Sequence, residues 1–356
     1  MRNITHQTSL SGGVFNTLAQ SGTTSNGKPP LLVLGKGSDL NEKKGMKGRA
    51  KRKLITQKMV LSLIDVAKAN GEDEFVQTCW RTWRCGNKLT RSGNKVFMKY
   101  CKNRFCTVCL SIRKALMINL YHPTLFKWKE PYFVTLTVKA QPYKNLKKWI
   151  GEGMLRGFRR ITSRNRKRAQ RGKGIKLVGI RSLESNFNPI KRTYNPHFHV
   201  IVQSRQMAEL LLAEWLDLWT SKHANKQAQK MTPIRNKEIA MKELIKYGSK
   251  IFTEPDISKK SKLKKNDRTI YVAALHKIFL AMKDHRLFDR FGFDLPDASK
   301  IKKGATVNIF QEYDRWQFDV KTADWKNEET GERLTGYIPP QEMIDLLENH
   351  IDAALY

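Results

Sequence analysis

The stretch Asn195-Pro196-His197-Phe198-His199-Val200-Ile201-Val202 sets two histidines one residue apart in a run that otherwise reads as a buried strand. Strand alternation turns both rings to one face. Neutral imidazoles are the commonest protein ligands for a catalytic metal, so two aimed at one spot suggest a metal site. Two histidines hydrogen-bonded at a sheet edge are the plainer alternative. The preceding run, Leu177 to Phe187, also reads as a strand, and Asn188-Pro189 with neighbouring turn formers joins the two into an antiparallel hairpin. With the turn centred near Lys191, Glu184 falls opposite the His197/His199 pair. Two nitrogens and a carboxylate with positions left open suit a hard divalent ion, Mg²⁺ or Mn²⁺, gripping a phosphate oxygen.

A nucleophile for such a site is expected on a helix beside the sheet, and Lys237 to Lys250 is the candidate. Its apolar arc is Ala240, Met241, Leu244, Ile245 and Gly248, with Tyr247 at the margin, Glu243 one turn earlier and Lys250 about one turn later. A phenolate can attack a phosphodiester, and a carboxylate one turn away can later activate water or a sugar hydroxyl. Lys250 can stabilise phosphate charge but is a poor base near neutral pH. Taken alone, Tyr247 reads more readily as an ordinary tyrosine of an amphipathic helix, and only its conjunction with the histidine pair changes that.

The five cysteines are Cys79, Cys85, Cys101, Cys106 and Cys109, and the Cys106-Thr107-Val108-Cys109 pair has zinc-knuckle spacing. Disulfides are the alternative, but an odd count and a nucleic-acid-like charge point to a reducing compartment. Cys85, Cys101, Cys106 and Cys109 are the expected Zn²⁺ ligands, with Cys79 as the substitute.

Composition names the substrate class. The chain carries 67 Lys+Arg against 32 Asp+Glu, a formal charge of +35, and a polyanion is the expected partner. The excess is clustered: no acid lies between Glu152 and Glu184, while Arg156, Arg159, Arg160, Arg164, Arg166, Lys167, Arg168 and Arg171 crowd together. These are the expected DNA-binding residues, and Lys259 to Lys265 forms a second basic patch. A solvated charged face is the ordinary reading of a basic run. With no long apolar run, signal-peptide core or lipidation signature, the expectation is a soluble, cytoplasmic protein without membrane attachment.

The elements that must position these groups alternate. Strands are predicted near 95–100, 132–139, 177–187 and 197–203, with helices near 55–69, 111–120, 146–160, 207–223 and 237–250. The expected fold is α+β, an antiparallel sheet covered by helices on one side. Residues 1–53 read as a basic disordered arm, 54–125 as a helix plus a cysteine-rich zinc-binding lobe, 126–298 as the catalytic domain and 299–356 as an appendage whose role is open.

In order along the chain, Cys101-Lys102-Asn103-Arg104-Phe105-Cys106-Thr107-Val108-Cys109, Phe133-Val134-Thr135-Leu136-Thr137-Val138, Tyr194 to Val200, and Glu243 to Tyr247 resemble the rolling-circle replication initiators of small bacterial plasmids, within the HUH endonucleases. His285-Arg286-Leu287-Phe288-Asp289-Arg290-Phe291-Gly292 resembles the family's closing segment, and the resemblance spans Cys79 to Phe293. Thr107 stands where members usually have Pro, and Asn195 where many carry another His. The resemblance implies an HUH nuclease core and binding to an origin. It implies that Tyr247 attacks a phosphodiester in extruded single-stranded DNA, leaving a 5′-phosphotyrosine and a 3′-hydroxyl for a host polymerase. It further implies a host helicase as partner, a metal held by His197, His199 and Glu184 over the Thr135/Thr137 strand, and Glu243 acting in the terminating cleavage. A single-tyrosine transposase, a relaxase, or a non-catalytic zinc-ribbon nucleic-acid binder are the other readings.

Overall fold

The structure, a computed structural model, describes residues 44–92, 95–188, 191–247, 271–295 and 314–348. In chain order the elements are α1 (Lys44–Ala69), α2 (Asp73–Trp83), β1 (Lys88–Ser92), β2 (Lys95–Met98), α3 (Thr107–Phe126), β3 (Tyr132–Thr137) and α4 (Tyr143–Lys148). A π-helical segment (Trp149–Leu155) leads into α5 (Arg156–Gln170), then β4 (Gly179–Asn188), β5 (Thr193–Val202), α6 (Arg205–His223), β6 (Lys230–Pro233), α7 (Lys237–Tyr247) and α8 (Val272–Met282). The last elements are β7 (Phe288–Phe291), β8 (Asp314–Asp319), β9 (Asp324–Asn327) and α9 (Gln341–Glu348). The fold is α+β with two antiparallel sheets, as expected. No helix among the described residues is long and apolar enough to cross a membrane.

The chain divides into two compact units. Among the described residues, one comprises 44–92, 95–115 and 314–348. Its centre is α1, which begins at Lys44 rather than near Ile55. The basic run shows no apolar period, yet Met46, Ala50 and Lys53 are buried at i, i+4 and i+7. Lys53 is wholly buried, donating from Nζ to the Trp83 carbonyl at 2.5 Å, and burial pushes its ammonium down to about 8. The sheet of this unit runs β2-β1-β8-β9. Trp325 is buried and donates Nε1–H to the Gly86 carbonyl at 2.9 Å, and Phe318 N–H donates to Asn87. Residues 314–327 therefore supply half of this sheet. Asp324, fully buried, accepts from Thr335 Oγ1 and the amides of Thr335 and Gly336, which pins the loop beyond β9.

Among the described residues, the second unit comprises 116–188, 191–247 and 271–295. Its sheet runs β6-β3-β5-β4-β7 with every neighbour antiparallel. Central β5 contains Pro196, which has no N–H to give a ladder. Tyr194 exchanges both backbone bonds with Gln141 at 2.7 Å each, and alternation turns Pro196 to that same side. There β3 has already ended, at Thr137 opposite His197, so the missing donor breaks no ladder bond.

Helices cover both faces rather than one. Phe198 meets Phe158 of α5 and Trp215 of α6. On the opposite face, Phe288 of β7 meets Tyr121 of α3. The predicted helix near 146–160 extends through 143–170 with the π turn inside it. The close helix contact explains a glycine there: a Cβ on Gly153 would lie 2.7 Å from the Trp219 ring.

Candidate active site

The hairpin forms in the expected register. Along β4 and β5, Glu184 lies directly across from His197 and Ser182 across from His199. On the other side of β5, Thr137 and Thr135 of β3 face the same two histidines. All six residues thus share one sheet face. Glu184, His197 and His199 are buried, at 1%, 5% and 7% exposure, and their ligand atoms lie within 4.8 Å of one another. Each histidine Nε2 is 3.5 Å from Glu184 Oε2.

The inward aim of both imidazoles has a local cause. His197 Nδ1 sits 2.9 Å from the Asn195 carbonyl, which can only accept, so Nδ1 is the donor there and Nε2 is the nitrogen turned toward the carboxylate. His199 Nδ1 lies 3.3 Å from Thr135 Oγ1 and its ring packs against Phe133. The end of β3 is held by Trp215, whose Nε1–H donates to the Thr137 carbonyl, and by Gln229, whose Oε1 accepts the Thr137 amide at 2.7 Å. Two imidazole nitrogens and one carboxylate make a mixed nitrogen and oxygen donor set that could hold a metal ion. Ser182, fully buried on the same face, has a hydroxyl without a hydrogen-bond partner among the described residues. Sequence reasoning missed Asn195 as an orienting carbonyl, Ser182, Trp215 and Gln229. Only the position of Asn195, two residues before His197, offered a signal.

Helix α7 packs against β4 and β5, the two strands that carry Glu184 and the histidines. Of its expected apolar arc, Met241, Leu244 and Ile245 are buried, Ala240 is partly buried and Gly248 falls outside the described residues. Glu243 and Tyr247 lie on this helix, four residues apart. Lys250 falls outside the described residues, as does the Lys259–Lys265 patch.

A second group gathers in the other unit. Cys85, Cys101, Cys106 and Cys109 have all four sulfurs within 4.8 Å of one another. Cys109 Sγ is 3.5 Å from Cys85 Sγ and 3.6 Å from Cys101 Sγ. All five cysteines are free thiols, and Cys79 is buried outside the group. Backbone amides aim at the sulfurs: Cys101 N–H to Cys85 at 3.3 Å, Asn103 N–H to Cys101 at 3.4 Å and Cys109 N–H to Cys106 at 3.5 Å. Hydrogen bonding from the Cys106 thiol holds Cys101 far below the ordinary thiol range, while burial pushes Cys106 up. Thr107, between the knuckle cysteines, donates its hydroxyl to the Arg52 carbonyl at 2.7 Å, and its amide donates to Thr56 Oγ1 at 3.1 Å. A proline there would start the helix equally well but could make neither bond to α1.

The eight basic residues from Arg156 to Arg171 lie on α5 or one position beyond it, and all are exposed. The acid-free run is nonetheless compensated in space. Glu214 of α6, 7% exposed, takes ion pairs from both Arg164 and Arg168. Arg156, Arg159, Arg160, Arg166, Lys167 and Arg171 have no ion pair of this kind among the described residues.

No protein-family model matches the chain, and no solved structure does. Among curated proteins, a Rep protein of Staphylococcus aureus is 33% identical over 167 residues, which is 42% of this chain and 69% of that protein. A Rep protein of a Bacillus species is 34% identical over 148 residues, covering 38% of this chain and 44% of the relative. One of Streptococcus pneumoniae is 29% identical over 163 residues, covering 42% and 47%. The match thus spans about two thirds of the first relative and less than half of the other two. With identity above the level at which a shared fold is retained, over most of the staphylococcal protein's length, this chain belongs to the Rep protein family.

Proposed function

We propose that this Rep protein is a replication initiator that nicks single-stranded origin DNA through Tyr247, leaving a 5′-phosphotyrosine and a free 3′-hydroxyl. The observation that carries this reading is the convergence of Glu184, His197 and His199 on one face of the central hairpin, with α7 packed on the same two strands. A divalent ion bound there, Mg²⁺ or Mn²⁺, would supply Lewis-acid polarisation of the scissile phosphate. His197 and His199 would hold it through Nε2 and Glu184 through a carboxylate oxygen.

In the first step the Tyr247 phenol loses its proton and its oxygen bonds to phosphorus. The bond from phosphorus to the 3′-oxygen breaks, and that oxygen leaves as a hydroxyl after taking up a proton. In the second step Glu243 accepts a proton from an attacking water or sugar hydroxyl, and the phenol is released. Host polymerase and helicase would act on the product.

The four cysteines fit a structural Zn²⁺. A tetrahedron with Zn–S near 2.3 Å has sulfur–sulfur edges of about 3.8 Å, and the amide donors at three of the sulfurs match thiolate ligands. The purified protein is expected to carry about one zinc per chain by elemental analysis. Cys106→Ser should lose that zinc and lower the melting temperature, whereas Cys79→Ser should retain it. Loss with Cys79→Ser and retention with Cys106→Ser would reverse the ligand assignment.

The function itself is tested by incubating the protein with pools of single-stranded DNA and Mn²⁺, then sequencing the ends that become covalently attached. A defined cleaved sequence linked to protein supports nicking. Binding with no linkage under any divalent metal would leave only a DNA-binding protein. Glu243→Ala separates the two steps. It should form adduct at close to the wild-type rate, but adduct decay should slow about 10²-fold or more, the contribution of a general base. If Glu243 only pairs with a neighbouring lysine, single-turnover formation and decay will both be unchanged.

A further inference from the structure

Arg181 is the least expected residue of the second unit. It lies on β4, one position from the face that carries Glu184, and alternation turns it to the opposite side. There the residue is 5% exposed and its guanidinium sits over two aromatic rings, 5.5 Å from the centroid of Phe158 and 5.2 Å from that of Phe198. Burial pushes the guanidinium down to about 10, still charged at neutral pH. A buried charge is normally matched by a partner of opposite sign and by hydrogen bonds to its remaining donors. Arg181 has only part of this. Its Nη2 reaches Asp289 Oδ2, directly across the β4–β7 pair, at 3.5 Å. Its Nη1 is buried without a hydrogen-bond partner among the described residues.

Asp289 is itself shared. Arg286 Nη1 takes its other oxygen at 3.3 Å, and the Arg290 amide takes that oxygen at 3.1 Å. Arg159, next to Phe158 on α5, is close enough to repel the Arg181 guanidinium, and so is Arg286. Two guanidiniums, those of Arg181 and Arg286, thus share one carboxylate, and Arg159 of the basic helix is near enough to act on Arg181. Arg159 and Arg286 are exposed, with the Arg286 side chain at 76%.

We propose that Arg181, Arg159 and Arg286 form a seat for a phosphate oxyanion, filled by one backbone phosphate of the DNA strand that runs along α5. It lies on the sheet face opposite Glu184, His197 and His199, so it is a second contact point on the DNA rather than part of the cleavage chemistry. The planar fork of arginine suits bidentate contact with phosphate. The aromatic faces beneath Arg181 fix its plane, and the unpartnered Nη1 supplies a donor that the protein leaves unused. This inference rests on the reading of the chain as a protein that handles single-stranded DNA.

Arg159→Gln and Arg286→Gln test it at exposed positions, where folding is not at risk. The readout is fluorescence anisotropy of a labelled single-stranded oligonucleotide titrated with the full chain across a series of salt concentrations. For a single strand, each phosphate neutralised contributes about 0.7 to the slope of log K against log salt. Because both arginines would hold one phosphate, the double variant should lower the slope by about 0.7 in total, not twice that. Arg181→Met, which keeps the packing but removes the donors, should weaken binding in the same way while the melting temperature in the absence of DNA falls little or rises. A second arm uses inorganic phosphate at constant ionic strength, which should compete with the oligonucleotide on the wild type and not on the double variant. An unchanged slope in the double variant, or a loss of two phosphates, overturns the shared seat. Thermal stabilisation of the wild type by inorganic phosphate, with oligonucleotide binding unaffected by the double substitution, overturns DNA as the source of the phosphate. Failure of the wild-type protein to bind the oligonucleotide at all would sink the functional reading itself, an outcome distinct from any in which only the arginine variants are silent.

Discussion

Tyr247→Phe should eliminate the covalent protein–DNA adduct, with nicking falling about 10³-fold or more, the scale on which removal of an enzymatic nucleophile acts. Oligonucleotide affinity should be unchanged, because the substitution removes one oxygen and keeps the ring. The expectation rests on where α7 runs: it packs on the strands that carry the metal-site residues. Two other tyrosines are disfavoured by their own surroundings. Tyr194 is 2% exposed and burial pushes its phenol up, away from the phenolate a nucleophile needs. Tyr271 packs its ring on Phe187, three positions from Glu184 on β4 and therefore on the opposite face of the sheet. Peptide mapping of the wild-type adduct by mass spectrometry decides the matter. A DNA-linked peptide containing Tyr271 or Tyr143 rather than Tyr247 would overturn the assignment.

Glu184→Ala should be the most damaging change at the metal site, because it removes the one anionic ligand of the group. Lewis-acid stabilisation is worth several kcal/mol, so nicking at saturating Mn²⁺ should fall about 10²–10³-fold. His197→Ala and His199→Ala should lose less at high metal, with excess Mn²⁺ restoring part of the rate while the remaining ligands hold the ion. Thermal melting supplies a readout apart from activity. An ion that binds only the folded protein raises its stability with concentration, so Mn²⁺ should raise the melting temperature of the wild type and not of Glu184→Ala. Equal metal-dependent stabilisation of both proteins, or nicking by all three variants at the wild-type rate without metal, would remove the site from the mechanism.

Much of this site was legible along the chain because hairpin register is a local property. Asn188-Pro189 and the residues around Lys191 set the turn, a two-residue period sets the face, and together these place Glu184 across from His197. The cysteine grouping was equally readable, since Cys101, Cys106 and Cys109 are close in sequence and the antiparallel β1–β2 pair brings Cys85 beside Cys101. Other features depend on which faces of distant elements meet, and no short-range pattern records that. The start of α1 lies inside a basic run whose aliphatic stems pack only because the rest of the unit surrounds them. Glu214 neutralises two arginines about fifty residues away because α5 and α6 pack side by side. Strands β8 and β9 complete a sheet begun more than two hundred residues earlier, where the buried Trp316 and Trp325 find their partners. By itself, then, the sequence determined which residues share the hairpin face and the hairpin that holds them, through periodicity and turn residues. Tertiary structure alone decided which charges are neutralised and which remain open to phosphate, because electrostatic pairing acts through space between residues that the chain keeps far apart.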